Sequence, residues 1–149
     1  MNTTASSAND DRAEAVALFE RYIEAWNAGD LQQIGADIYE TPVCVYEPGG
    51  TSTLADPAAI VTLLGGLRQQ LAASGFVRST LEQVATCNLG GGLMFASFHY
   101  RRHFVDASGR KTDDVLASAY ILRKLPTGWR LAAHVLQATL DDLVFLSDR

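Results

Sequence analysis

Polar side chains set within apolar stretches are the candidates for chemistry in this chain. Tyr22 and Trp26 lie one helical turn apart in Arg21–Asp30 (RYIEAWNAGD) and share a face with Phe19 and Ile23. Glu47 directly precedes Pro48-Gly49-Gly50, Ser118 and Tyr120 alternate within an apolar run, and His134 lies in the last such run. A carboxylate enclosed by apolar side chains is pushed toward the range where it takes and returns a proton near neutrality. A neutral phenol is a hydrogen-bond donor. Each residue also has a structural use: Tyr22 as a core aromatic with its hydroxyl bonded, Glu47 as a turn carboxylate, Tyr120 as strand packing. His134 can be an acid/base, a metal ligand or a structural strand histidine.

Other chemistries find less support in the spacing. His99 and His103 share a strand face, but a flat strand holds them ~13 Å apart and no third metal ligand is in view. With Arg101 they read as a polar rim or a dimer contact. Cys44 and Cys87 lie inside apparent strands without metal-site spacing, as buried free thiols do. Gly90-Gly91-Gly92 is a turn, since the phosphate-cradling motifs need a following helix. Neither a metal nor a cofactor is expected.

The elements that position these residues follow from periodicity and breakers. Asp10 or Asp11 caps a first helix that runs to about Ala28. Gly29 lets the chain leave it, and Asp30 caps a second, Leu31–Tyr39, with Ile34, Ile38 and Tyr39 on one side and Pro42 as its end. Val43–Glu47 and Thr51–Leu54 flank the Pro-Gly-Gly turn as strands. Asp56 at the N-cap and Pro57 in the first turn open a third helix, with Ile60, Leu63, Leu64, Leu67 and Leu71 at helical spacing. Gly65-Gly66 costs it roughly 1 kcal/mol per residue and implies close approach of another backbone, or a weak point. Ser74-Gly75 ends it. Strands Val77–Thr86, Leu93–Val105, Thr112–Leu125 and Trp129–Thr139 then form a meander, followed by a tail with a short helix. Helices first and antiparallel strands afterwards define an α+β fold, with the helices on one face of a bent sheet.

Composition narrows the function. The 149 residues make one domain, 48% hydrophobic and 19% charged, as in ordinary soluble globular chains. We place it at 13–140, between a disordered tail at 1–12 and a C-terminal tail at 141–149. The net charge of −5 argues against nucleic-acid binding, and no apolar run approaches the length of a membrane span. The polar first residues carry no signal-peptide core, which implies a cytoplasmic protein.

Strand alternation assigns faces. Met94, Ala96, Phe98, Tyr100 and Phe104 form the more apolar set of their strand and face the helices. Val43, Val45 and Glu47 turn inward, and Cys44 and Tyr46 outward. The opposite face still carries Phe95, Val115, Ala117, Ala119, Ile121 and Leu125. No helix remains to cover it, so a homodimer through this outer sheet face is expected.

A helix bearing Y-x-x-A-W-N-A-G-D, a strand ending in Glu-Pro-Gly-Gly, a helix opened by Asp-Pro and a meander closing on L-R-K-x-x-x-G-W-R-L resemble the nuclear transport factor 2-like superfamily. That superfamily includes the ketosteroid isomerases, scytalone dehydratase, limonene epoxide hydrolase and the SnoaL-like polyketide cyclases. The resemblance covers about Ala13 to Gln137 and implies a cone-shaped, strongly bent antiparallel sheet wrapped around three N-terminal helices, the cystatin-like roll. The first half is most similar to a ketosteroid isomerase. By that resemblance Tyr22 is an oxyanion donor and Glu47, in place of the usual Asp, the general base. Tyr120, with Ser118 beside it, stands where the second oxyanion donor is an Asp. His134 replaces an apolar lining residue, which points away from a steroid. Trp26, Leu67, Phe98, Tyr100 and Ser118 are the expected ligand-binding residues.

Two functions follow. One is a cofactor-free isomerase, cyclase or lyase acting next to the carbonyl of a small hydrophobic molecule. The other is a non-catalytic ligand-binding or dimerisation module. Geometry separates them: the enzyme needs Glu47 and the Tyr22 hydroxyl on one cavity, and a Glu47 turned into solvent removes it.

Overall fold

The computed structural model describes residues 3–136, with side chains from Ala8 onward. A long helix α1 (Thr3–Ala28) leads into a single turn α2 (Leu31–Gln33), a π-helical turn (Ile34–Ile38), and strands β1 (Tyr39–Glu47) and β2 (Gly50–Leu54). Helix α3 (Pro57–Ala73) precedes β3 (Phe76–Gly90), β4 (Leu93–Val105), β5 (Lys111–Leu125) and β6 (Gly128–Val135). The six strands form one sheet in the order β2-β1-β6-β5-β4-β3. All neighbours are antiparallel except β1 and β6, which run parallel. The helices pack on one face of this curved, unclosed sheet, as the α+β expectation had it.

The apolar stripe of α1 seals the core. Ala15, Leu18, Phe19, Tyr22, Ala25 and Trp26 are buried, and Phe19 stacks on Phe98 of β4 with ring centroids 4.3 Å apart. The C-terminal end of α1 is tied down from two sides. Arg68 of α3 donates to the carbonyls of Trp26 and Asn27, taking the place of a basic residue in the last turn of α1. Asn27 exchanges two hydrogen bonds with the backbone of Ser79 on β3. Gly29, at φ 74°, makes the exit, and the Asp30 side chain accepts from the Gln33 backbone N–H. Asp56 caps α3 in the same way through Ala59.

Several expectations change. Helix α1 already runs from Thr3, so Asp10 and Asp11 lie inside it rather than at its cap, and most of the expected tail at 1–12 is helical. Asp11 is buried one turn before Ala15, where it accepts from Lys124 Nζ and Trp129 Nε1 at 3.0 and 3.3 Å. The second helix is not regular to Tyr39. Its last part is the π turn, and Pro42 does not end it but sits inside β1, after a cis peptide. Lacking an N–H, Pro42 falls where the β1–β6 register breaks, between Tyr39 and Cys44. Gly65-Gly66 meets no other backbone; close approaches occur instead at Gly75, against the Val105 carbonyl, and at Gly35, where an added Cβ would stand 3.0 Å from the Pro57 carbonyl oxygen. Cys87, expected buried, is exposed, and Cys44 is half-buried.

The strand faces follow the alternation. Met94, Ala96, Phe98 and Phe104 are buried on the helix side, as are Val43 and Val45, while Tyr46 is exposed. The expected helical tail lies outside the described residues. Among those described, no helix is long and apolar enough to cross a membrane.

Candidate functional site

Between α1, α3 and the concave face of the sheet lies a cavity of about 660 Å³, a volume that suits a small molecule. All nine residues singled out from the sequence line it: Tyr22, Trp26, Glu47, Leu67, Phe98, Tyr100, Ser118, Tyr120 and His134. Their convergence has a simple cause. Ala96 pairs with Tyr120, and Tyr120 pairs with His134, which pairs with Val45, so one row of inward positions crosses four strands. Tyr22 and Trp26 descend on this row from the buried stripe of α1.

A phenol cluster fills one end of the site. Tyr22 and Tyr39 share a hydrogen bond of 3.0 Å between their hydroxyls, and the Tyr39 and Tyr120 rings meet edge-on at 6.4 Å. When Tyr39 donates, the Tyr22 proton is left for a ligand. Burial pushes the Tyr22 phenol up to about 12, and those of Tyr39 and Tyr120 well above the usual 10. All three are therefore neutral donors at physiological pH. Tyr39 was placed by its sequence on the apolar side of a helix. The π turn carries it instead to the start of β1, facing the cavity, and only its spacing from Ile34 and Ile38 signalled burial.

His134 lies flat on Tyr120, with ring centroids 4.4 Å apart and planes 15° from parallel. Its Nε2 is buried without a hydrogen-bond partner among the described residues. Burial lowers its pKa to about 4, so the imidazole is neutral near pH 7. A neutral ring with a free Nε2 serves a ligand as donor or acceptor, according to its tautomer.

Glu47 differs from its expected setting. Its register turns it toward the cavity, but it is the last residue of β1, beside the turn, and stays exposed at the mouth. The apolar enclosure anticipated around it is missing. Among the described residues Arg102 is the other charged residue on the cavity wall, and it was not singled out from the sequence. Its parity with Phe98 and Tyr100 was the signal. Arg101 points the other way, to Glu82 and Asp113, and His103 bonds Asp113 and Thr80 on that outer face. No group of three or more metal-binding side chains occurs among the described residues.

The geometry is that of an α+β cone closed by helices, and comparison with known proteins agrees. A family model described as NTF2-like protein (DUF6841) matches residues 13–139, and the chain belongs to that family. No curated protein matches it. Among solved structures it is similar to an NTF2-like protein with a cystatin-like fold from Novosphingobium aromaticivorans, at 23% identity and TM-score 0.71 over 89% of this chain and 84% of that one. It is also similar to Aln2 from a Streptomyces species, at 16% identity and TM-score 0.69 over 87% and 90% of the two chains. A protein from Catenulispora acidiphila in complex with S-DNPA matches at 17% identity and TM-score 0.64, over 82% of this chain and 88% of its own. At these identities the likeness is one of fold.

Proposed function

We propose that the protein binds a small carbonyl-bearing apolar molecule in the cone, with the carbonyl oxygen held by the phenols. The observation that carries this reading is the Tyr22–Tyr39 hydroxyl pair, neutral and buried on a cavity wall that also presents the unpartnered Nε2 of His134. Buried donors without enough partners gain most from a ligand oxygen. 2-Acetylnaphthalene is a suitable probe, followed by isothermal titration calorimetry. Tyr22→Phe is expected to weaken its binding by about 1 kcal/mol, the worth of one neutral hydrogen bond. Unchanged affinity in that variant refutes the carbonyl reading.

A second reading, proton transfer next to that carbonyl, is favoured by one observation: Glu47 lines the same cavity as Tyr22. Here Glu47 takes a proton from the carbon beside the carbonyl while the phenols hold the enolate oxygen. The reaction is read directly in D2O, as exchange of the methyl protons of 2-acetylnaphthalene followed by NMR. Glu47→Gln keeps the shape and removes the base, so catalysed exchange is expected to stop while binding persists. Tyr22→Phe is expected to slow exchange by roughly 3 kcal/mol. Exchange that survives Glu47→Gln rules out this base and moves the search to His134.

A further inference from the structure

Arg102 differs from several other cations of the fold. Arg101, Arg123 and Lys124 each have a carboxylate partner, and Arg68 caps α1. Arg102 forms no ion pair among the described residues, although it stands on the wall of the cavity. Its Nε is buried and has no hydrogen-bond partner among the described residues. The guanidinium lies 5.5 Å from the centre of the Tyr100 ring, and its Nη2 reaches the Tyr100 hydroxyl at 3.4 Å. The same hydroxyl accepts from Ser118 Oγ at 3.5 Å. Both contacts are long, so a better acceptor can replace them. A guanidinium is a rigid fork that matches a carboxylate and stays charged at every relevant pH.

We infer that the natural ligand carries a carboxylate, bound by Arg102 with the hydroxyls of Tyr100 and Ser118, on the cavity wall next to the tyrosine cluster. The inference rests on the reading of the cone as a ligand site and adds the chemical class: an apolar oxo acid. The Phe98 ring connects the two groups, 5.3 Å from that of Tyr100 and 5.5 Å from that of Tyr120, and an aromatic ligand body matches this lining. Among the described residues Glu47 is the one carboxylate on the cavity wall. It is exposed at the mouth, where water screens its repulsion of an anion.

Three probes of one shape test this by calorimetry: 6-acetyl-2-naphthoate, its primary amide, and 2-acetylnaphthalene. The acid is expected to bind roughly ten- to hundredfold more tightly than the amide, the worth of a hydrogen bond to a charged group. Arg102→Gln should erase that preference and Arg102→Lys keep part of it, with circular dichroism confirming the fold of each. Equal affinity of acid and amide for the wild-type protein overturns the inference without any variant. So does a preference that survives Arg102→Gln. Acid binding that depends on Arg102 but not on Tyr22 leaves the anion site standing and removes the carbonyl reading. Failure of all three probes to bind removes both.

Discussion

His134 ties the chemistry of the cavity to the stability of the fold. Its pKa falls from 6.5 to about 4 because burial penalises the charged ring. Between those values the unfolded chain takes up a proton that the folded chain refuses. The stability at stake is complete above about pH 6.5 and is lost as the pH drops toward 4, amounting to roughly 3 kcal/mol at most. Urea unfolding of the wild-type protein should therefore weaken over this window, and His134→Leu should show a flatter profile. Parallel profiles would mean that another group is responsible. At this scale the sequence was informative, because a period of two decides which side chains share a face. His134, Tyr120, Ser118, Phe98 and Glu47 could be brought to one cavity from parity alone. Arg102 obeys the same parity but was left out because the inward set was read from its apolar members. The exposure of Glu47 was hidden because parity gives a side of the sheet and not a depth.

Among the elements, α1 has the largest share in closing the cone, and Asp11 fastens its early turns to the far end of the sheet. One carboxylate serves Lys124 of β5, the indole N–H of Trp129 at the head of β6, and Asn88 of β3. Asp11→Ala should destabilise the protein by about 1–3 kcal/mol, since it strands the buried Trp129 donor. A loss below about 0.5 kcal/mol in denaturant titration would show that water replaces the contact. The sequence offered Asp11 as a cap, because an acidic residue before a periodic apolar stripe is the usual helix start. It sits instead on the inward stripe, one turn before Ala15, where tertiary bonds outweigh local preference. The π turn was equally out of reach. A single residue of extra winding leaves no mark on composition, yet it decides that Tyr39 faces the ligand space. The third helix, by contrast, was legible to its cap, since Asp56 and Pro57 act within one turn of chain.

For the whole molecule, the outer sheet face bears on assembly. We propose that two copies pair through it. Val115 is 38% exposed there, whereas Ala117 and Ala119 are already buried, so Val115 with the half-buried Phe95 and Ile121 supplies the contact. The Arg101–Asp113–His103 network forms a polar border at one end of that face. Sedimentation velocity at micromolar concentration should give a species of twice the chain mass, and Val115→Glu should return it to the monomer. A monomeric wild-type protein would rule the pairing out. Fold class was readable at this scale from the order of helices and strands. Strand order was not, because the parallel pairing of β1 with β6 joins segments far apart in the chain, and no short-range signal records it.

That pairing bears on how the chain reaches its shape. Among the described residues the last strand in sequence, β6, is an inner one, held between β1 and β5. Cys44, Val45 and Tyr46, made early, wait for their partners on β6, and such long-range closure is intrinsically slow. During synthesis the first half of the chain can wind its helices while the ribosome is still working, but the cone cannot shut until β6 has emerged. The ligand site therefore comes into being in one late step. Tyr22 and Tyr39 are supplied from one end of the chain and Tyr120 and His134 from the other, so a chain cut short before Gly128 would be born without it.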